Sequence, residues 1–366
     1  MRRTCQLVLV IAAVACLNPL SAQDLFGGSW KGYWARDGDS LAVTMVVQPA
    51  ARADQYLATF SAERLRVEEI PFSTAEREGC CWIHLILRGD ATTSRFEGLL
   101  EGDTIAGTFV EAGALGTFAL RRASDRPVPR QEDVEFTNGS VRVSGTLVLP
   151  STEPPFPAVV MAHGSGAEGL WASRFLAYRF AEAGVAALIF DKRGVGASSG
   201  DWQTSDFNAL ASDVAAGVAM LARRQDIQRH RIGVYGHSQG ATFLPIVAEL
   251  SPAVAFLIAS APSGVPMDSL ERFSLRNSVG VSQLSRAEAA DANRYIDAIV
   301  AVAYRGASRD RLDSLSAAFA RRSWYFPAPG TEDPYWGFSK RIAAYAPLPH
   351  WQRVRVPVRI VFGRRR

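Results

Sequence analysis

The phrase GHSQG, Gly236 to Gly240, constrains this chain more than any other stretch. It follows the run RIGVY, which suits a strand, and opens the helix-forming run ATFLPIVAEL, so it falls at a strand-to-helix turn. Neighbouring chain crowds the positions two before and two after the serine in so sharp a bend, and Gly236 and Gly240 stand there without side chains. The bend directs the Ser238 hydroxyl away from the sheet, and the positive end of the following helix favours negative charge developing beside it. Ser238 is therefore the candidate nucleophile. His237, inside the phrase, is read as packing of the bend rather than as a base.

The surrounding pattern supplies the sheet that such a turn requires. The runs PAVVMA, AALIF, IGVYG, VAFLIAS and PVRIVF are continuously apolar, as strands buried on both faces of a parallel sheet are, while VRVSGTLVLP alternates. Phe207, Leu210, Val214, Val218 and Leu221 recur at steps of three and four and form one apolar helical stripe able to cover a sheet face. Alternating strand and helix predict an α/β fold with a doubly wound, mostly parallel sheet over residues 133–366. Residues 264–346 interrupt the alternation and are expected to form a helical cap, with helices around Arg286 to Ala303 and Arg309 to Arg322. An aromatic, proline-rich segment follows. Its Trp324, Tyr325, Phe326, Tyr335, Trp336 and Phe338 either line an acyl pocket or fill the cap's own core.

Residues 23–122 read differently. The runs LAVTMVV, YLATF, CWIHLIL and TIAGTFV, separated by Gly, Asp and Ser turns, predict a small antiparallel β domain, barrel or sandwich, with a hairpin where GTF repeats at Gly107 to Phe109 and Gly116 to Phe118. Residues 123–132, with Pro127 and Pro129, read as a linker. Residues 1–22 begin with Arg2 and Arg3, continue with an apolar run from Leu7 to Cys16 and exit through Ser21 and Ala22, the plan of an export signal. A periplasmic or extracellular protein is expected, with a lipid anchor at Cys16 as the alternative, since Ala13 to Cys16 resembles a lipoprotein processing site. No later apolar run is long enough to span a bilayer. Beyond the leader only Cys80 and Cys81 remain; a bridge between neighbours is strained and uncommon, so they are read as small apolar residues of a strand leading into Trp82. Basic residues exceed acidic ones by only 40 to 36 and are scattered apart from Arg364 to Arg366, which leaves no nucleic-acid footprint.

Two further motifs accompany the serine. HGSG, His163 to Gly166, ends the strand PAVVMA and precedes a helical stretch beginning near Trp171. The tetrahedral intermediate of acyl transfer carries its charge on one oxygen, and two backbone N–H groups must point there; those of Gln239, after the nucleophile, and Ser165, in this loop, are the candidates, with Gly164 and Gly166 permitting the backbone turn. His163 is read as an anchor of the loop. DKRGVGASSG, Asp191 to Gly200, follows AALIF; Asp191 is either a triad acid or, as favoured here, a carboxylate satisfied by local N–H groups or arginine.

These three motifs resemble the serine aminopeptidase-like branch of the α/β-hydrolases, and within it the EstD-type bacterial carboxylesterases, which join an extra N-terminal β-rich domain to HGxG, DxRGxG and GHSxG motifs. The resemblance is best over Asp133 to Ser263. It implies hydrolysis of small to medium acyl esters through an acyl-enzyme, with a small-molecule ester as partner and neither metal nor organic cofactor.

The same resemblance exposes a departure. It implies an acid soon after VPVRIVFG and a base histidine after one more strand, yet no Asp or Glu follows Asp333, and His350 precedes that strand. The last strand and the triad histidine are therefore expected to be missing, because the sequence is a fragment or frame-shifted, or because the hydrolase is degenerate. A third route pairs Asp268 as acid with His350 as base. Two rival functions stand beside the esterase: a peptidase, which needs cap acids such as Asp291, Asp297, Asp310 and Asp313 to hold a substrate ammonium, and a cell-envelope binding protein built on a spent hydrolase scaffold.

Overall fold

The structure is a computed structural model that describes residues 25–52, 54–89, 92–125 and 127–363. The expected leader, with Cys16, and the Arg364 to Arg366 cluster lie outside those residues. The described chain divides into two compact units, residues 25–64 with 69–125 and residues 65–68 with 127–363.

The first unit is a nine-stranded antiparallel sheet of β1 (Gly28–Arg36), β2 (Asp39–Pro49), β3 (Tyr56–Ala62), β4 (Val67–Pro71), β5 (Thr74–Glu78), β6 (Trp82–Arg88), β7 (Thr93–Glu101), β8 (Thr104–Glu111) and β9 (Ala114–Ala123). The last strand pairs with the first, and a bridge between Gln55 and Glu76 ties the two ends of the sheet, so the meander curls into a barrel. The GTF repeat is the β8–β9 hairpin. Phe109 faces Gly116 across that ladder, and a Cβ on Gly116 would stand 2.3 Å from the Phe109 ring; the glycine makes room for the aromatic. Phe96, Phe109 and Phe118 are buried, their rings in contact.

Two expectations need correction here. Cys80 and Cys81 lie in the β5–β6 turn rather than in a strand, because Gly79 turns the chain with φ +60°, and their sulfurs form a disulfide between neighbours. The linker is also shorter than 123–132: Ala123 closes β9 and Arg130 already opens the next strand. Only Pro127 and Pro129 lack the N–H a ladder needs, so pairing resumes directly after them.

The second unit opens with β10 (Arg130–Asn138), β11 (Val141–Leu149), β12 (Phe156–Ala162), α1 (Trp171–Glu182), β13 (Ala186–Phe190), α2 (Phe207–Leu221), β14 (Ile227–His237), α3 (Gln239–Leu250) and β15 (Val254–Ser260). Five helices follow, α4 (Met267–Val279), α5 (Arg286–Arg305), α6 (Asp310–Phe319), α7 (Pro334–Ile342) and α8 (Pro347–Trp351), before β16 (Val358–Val361). The sheet order is β10-β11-β13-β12-β14-β15-β16, antiparallel through β10, β11 and β13 and parallel from β13 to β16.

Burial explains the arrangement. Every residue of β13 is buried, as a central strand covered on both faces must be. Phe207, Leu210, Val214, Val218 and Leu221 of α2 are all buried against the sheet, worth roughly 1.5–3 kcal/mol for each large side chain. Asp206 starts α2 by accepting the Ala209 N–H at 2.8 Å. Helix α5 starts in a capping box of Ser285 and Glu288 and stops at Gly306, φ +68°.

Candidate active site

Ser238 occupies the one-residue bend between β14 and α3, with φ +52° and ψ −114°. A side-chain-bearing residue held there costs about 1–3 kcal/mol. Surrounding contacts enforce it. The Ser238 N–H donates to the Ser260 carbonyl of β15 at 2.9 Å, and the Thr242 hydroxyl and N–H donate to the Ser238 carbonyl at 2.9 and 3.0 Å. The flanking glycines are sterically required: a Cβ at Gly236 would lie 2.6 Å from the Gly240 carbonyl carbon, and one at Gly240 would lie 2.4 Å from the His163 oxygen. The serine side is exposed, while Gly236 and Gly240 are buried.

The HGSG loop is fastened residue by residue to the end of β13. His163 is buried and bonds the Phe190 carbonyl through Nε2 at 2.5 Å; burial, and then the nearby Lys192 charge, hold its pKa down at about 3, so it is neutral and donates. The Asp191 carboxylate accepts the Leu170 and Ala197 N–H groups, each at 3.0 Å. Both its oxygens thus have local amide partners. Arg193 is not one of them: it pairs with Asp213 at 2.6 Å. Lys192 reaches under the loop and donates from Nζ to the carbonyls of Gly164 at 2.6 Å and Gly166 at 2.7 Å. Glu168 accepts the Gly164 N–H at 2.6 Å.

Ser165 and Gly166 face Ser238 and Gln239 across a cavity of about 300 Å³. Its far wall comes from α4, α5 and α7. Met267, Leu270, Phe338 and Ile342 make that wall apolar, whereas Glu271, Tyr304 and Tyr335 give it a polar edge. The Tyr335 hydroxyl donates to Glu271 at 3.0 Å. Burial raises the Glu271 carboxyl above its ordinary range, and burial likewise pushes Tyr304 up to about 12. The six aromatics singled out in the sequence divide: Tyr335 and Phe338 line the cavity, while Trp324 and Trp336 are buried with Tyr295 and Phe319 among the helices, and Tyr325 and Phe326 pack against that cluster.

The described histidines of the second unit give Ser238 no base. His237 bonds Ser260 Oγ through Nδ1 at 3.2 Å. His230 stands on β14 eight residues before Ser238, about 26 Å of strand. His350 sits beside Glu249 at 3.2 Å, eleven residues along α3 from Ser238 or about 16 Å. The route through Asp268 and His350 is corrected by this geometry, since Asp268 pairs with Arg305 at 2.7 Å, whose hydrogen bond lowers its pKa, and His350 is held elsewhere. The aspartates proposed to hold an ammonium are spent on surface partners: Asp291 on Arg294, Asp297 on Arg272 and Asp313 on Arg309, while Asp310 bonds Ser308.

Sequence reasoning missed Lys192, Glu271 and Tyr304. Lys192 lay inside a recognised motif, but its partners are 26 and 28 residues away in sequence. Glu271 sits on a helix whose mixed pattern does not distinguish a pocket-facing acid from a solvated one.

Comparison with known proteins agrees with the topology. The family described as serine aminopeptidase, S33, matches residues 153–287. The quorum-quenching protein AidA of Acinetobacter baumannii is 32% identical over 131 residues, 36% of this chain and 43% of the relative. Esterase EstD of Thermotoga maritima is 26% identical over 166 residues, 43% of this chain and 39% of the relative. Esterase FrsA of Escherichia coli is 29% identical over 174 residues, 44% of this chain and 40% of the relative. The chain thus spans about two fifths of the length of these curated relatives. With the sheet order, the bend at Ser238 and these matches together, the second unit has the α/β-hydrolase fold and, over residues 153–287, is similar to the serine aminopeptidase-like branch and to esterases.

Proposed function

We propose that the protein is a serine carboxylesterase acting on small to medium acyl esters. The observation that carries this reading is the exposed Ser238 at a strained bend, on the floor of a largely apolar cavity that Ser165 and Gln239 also line. In the proposed cycle Ser238 Oγ attacks the ester carbonyl and its proton passes to a base. The N–H groups of Ser165 and Gln239 hold the oxyanion, the alcohol leaves with a proton, and water then releases the acid and frees the serine. The five helices between β15 and β16 act as a cap that shapes the acyl site. No cofactor enters this cycle.

The described residues of the second unit place no proton acceptor beside Ser238. Loss of a triad histidine costs on the order of a millionfold in turnover, leaving the oxyanion donors and binding to supply what remains. The leader sequence, and a disulfide at Cys80 and Cys81, fit an oxidising site of action outside the cytoplasm.

One observation supports a second reading, a peptidase for substrates with a free amino group: Glu271 places a carboxylate in the cavity. Hydrolysis of p-nitrophenyl acyl esters of increasing length, beside aminoacyl p-nitroanilides, both with imidazole supplied as base, separates the two. The esterase reading expects Ser238-dependent release from the esters and none from the anilides; release from the anilides alone favours the peptidase, and release from neither, with Ser238 inert, favours a binding scaffold.

A further inference from the structure

We infer that Lys192 is the positioning residue of the oxyanion loop, holding the Gly164–Ser165 peptide so that its N–H points into the cavity. The inference rests on the proposed role of the Ser165 amide. Lys192 is 2% exposed, and its two described side-chain hydrogen bonds go to the carbonyls of Gly164 and Gly166. The Gly164 carbonyl belongs to the same planar peptide as the Ser165 N–H. In a trans peptide the two point in opposite directions, so a cation fixed on the oxygen fixes the N–H on the opposite side. The bond also draws electron density toward the oxygen and makes that N–H a stronger donor. The second bond, to Gly166, clamps the loop beyond Ser165, where Gly166 turns with φ +85°. A free HGSG loop has no such preference, because glycines on both sides of Ser165 permit the peptide to rotate.

The groups facing the ammonium fit a fixed cation rather than a mobile one. Glu168, which accepts the Gly164 N–H, attracts it, and neutral His163 lies on the same loop. The Trp202 ring stands 5.3 Å from Nζ. Asp191, next in the chain, is engaged by the Leu170 and Ala197 amides. Burial lowers the Lys192 pKa to about 8, so the ammonium is present at neutral pH and is lost within a range a pH titration covers.

Two measurements test this. The first compares wild type with Lys192→Met in phosphonylation of Ser238 by an alkyl fluorophosphonate with imidazole supplied as base. The maximal rate should fall at least tenfold while the half-saturating probe concentration stays within about threefold, since the loop acts on the anionic transition state rather than on binding. The second follows the Ser165 amide nitrogen by NMR in wild type, and needs neither a folded variant nor a reactive serine. Its shift should titrate with a midpoint near that of Lys192, about 8. An unchanged phosphonylation rate in a folded Lys192→Met protein, or a Ser165 resonance flat across that range, would overturn the inference. Failure of wild type to react while Ser165 still titrates would count against Ser238 as nucleophile and leave the Lys192 linkage supported.

Discussion

Gly240, at the start of α3, presses against His163 at the end of β12: a Cβ on the glycine would stand 2.4 Å from the histidine's carbonyl oxygen and 2.7 Å from that of Ala162. This contact joins the serine bend to the oxyanion loop with no side chain between them. Both obstacles are backbone, so neither can swing aside. Gly240→Ala should destabilise the protein by about 1–3 kcal/mol in urea unfolding and also lower the reactivity of Ser238, because the relief must come from moving the loop or the helix. Unchanged stability and reactivity would show that the two elements are not coupled there.

Arg193 and Asp213 form a second brace. The pair is buried, bidentate at 2.6 Å on both oxygens, and extended by Asn138, which donates to Asp213 at 2.8 Å. It ties the loop after β13 to α2. Removing one partner leaves a buried charge unmatched, so Asp213→Ala should cost about 3–5 kcal/mol, measured by denaturant unfolding. A loss below 1 kcal/mol would mean that water reaches the arginine and the brace contributes little.

Glu271 supplies a pH test. Burial raises its carboxyl above the ordinary range, and the Tyr335 hydrogen bond offsets part of that rise. A raised folded-state value means that the group favours folding below its unfolded pKa and that this contribution is lost as pH rises through the folded value. Glu271→Gln, uncharged throughout, should therefore be more stable than wild type at neutral pH, with the difference closing as the solution is acidified. Thermal unfolding of both proteins from neutral to acidic pH checks this; a gap that widens on acidification contradicts it.

The lack of a base beside Ser238 among the described residues of the second unit gives a prediction of its own. If Ser238 and the two amides are intact and only a proton acceptor is lacking, free imidazole should raise ester hydrolysis by the 366-residue chain in proportion to its concentration, and Ser238→Ala should abolish the gain over solution catalysis. An equal gain in both proteins would locate the reaction in bulk water.

Much of this arrangement was legible in the sequence, for definite reasons. Local period and turn chemistry carried the α2 stripe, the apolar strands and the bend at Ser238, each set by residues within about a dozen positions of one another. The β8–β9 hairpin was readable for the same reason. What was not legible depends on long-range contacts. Strand β10 lay hidden in the charged run after Pro129, and pairing with β11 rather than its own propensity makes it a strand. Glu271 and the surface acids Asp297 and Asp313 occupy similar helical contexts, and only the placement of α4, α5 and α7 shows which one meets the cavity. Lys192 and the Gly164 carbonyl come together because β13 and β12 are neighbours in the sheet. Cys80 and Cys81 were misread because the turn at Gly79 was not recognised as ending the strand.

The most direct test is to treat the full chain with an alkyl fluorophosphonate and imidazole, digest it, and locate the adduct by mass spectrometry. The account predicts one phosphonylated residue, Ser238, and no adduct after Ser238→Ala. An adduct on another serine, or none when a control hydrolase labels fully under the same conditions, would contradict it.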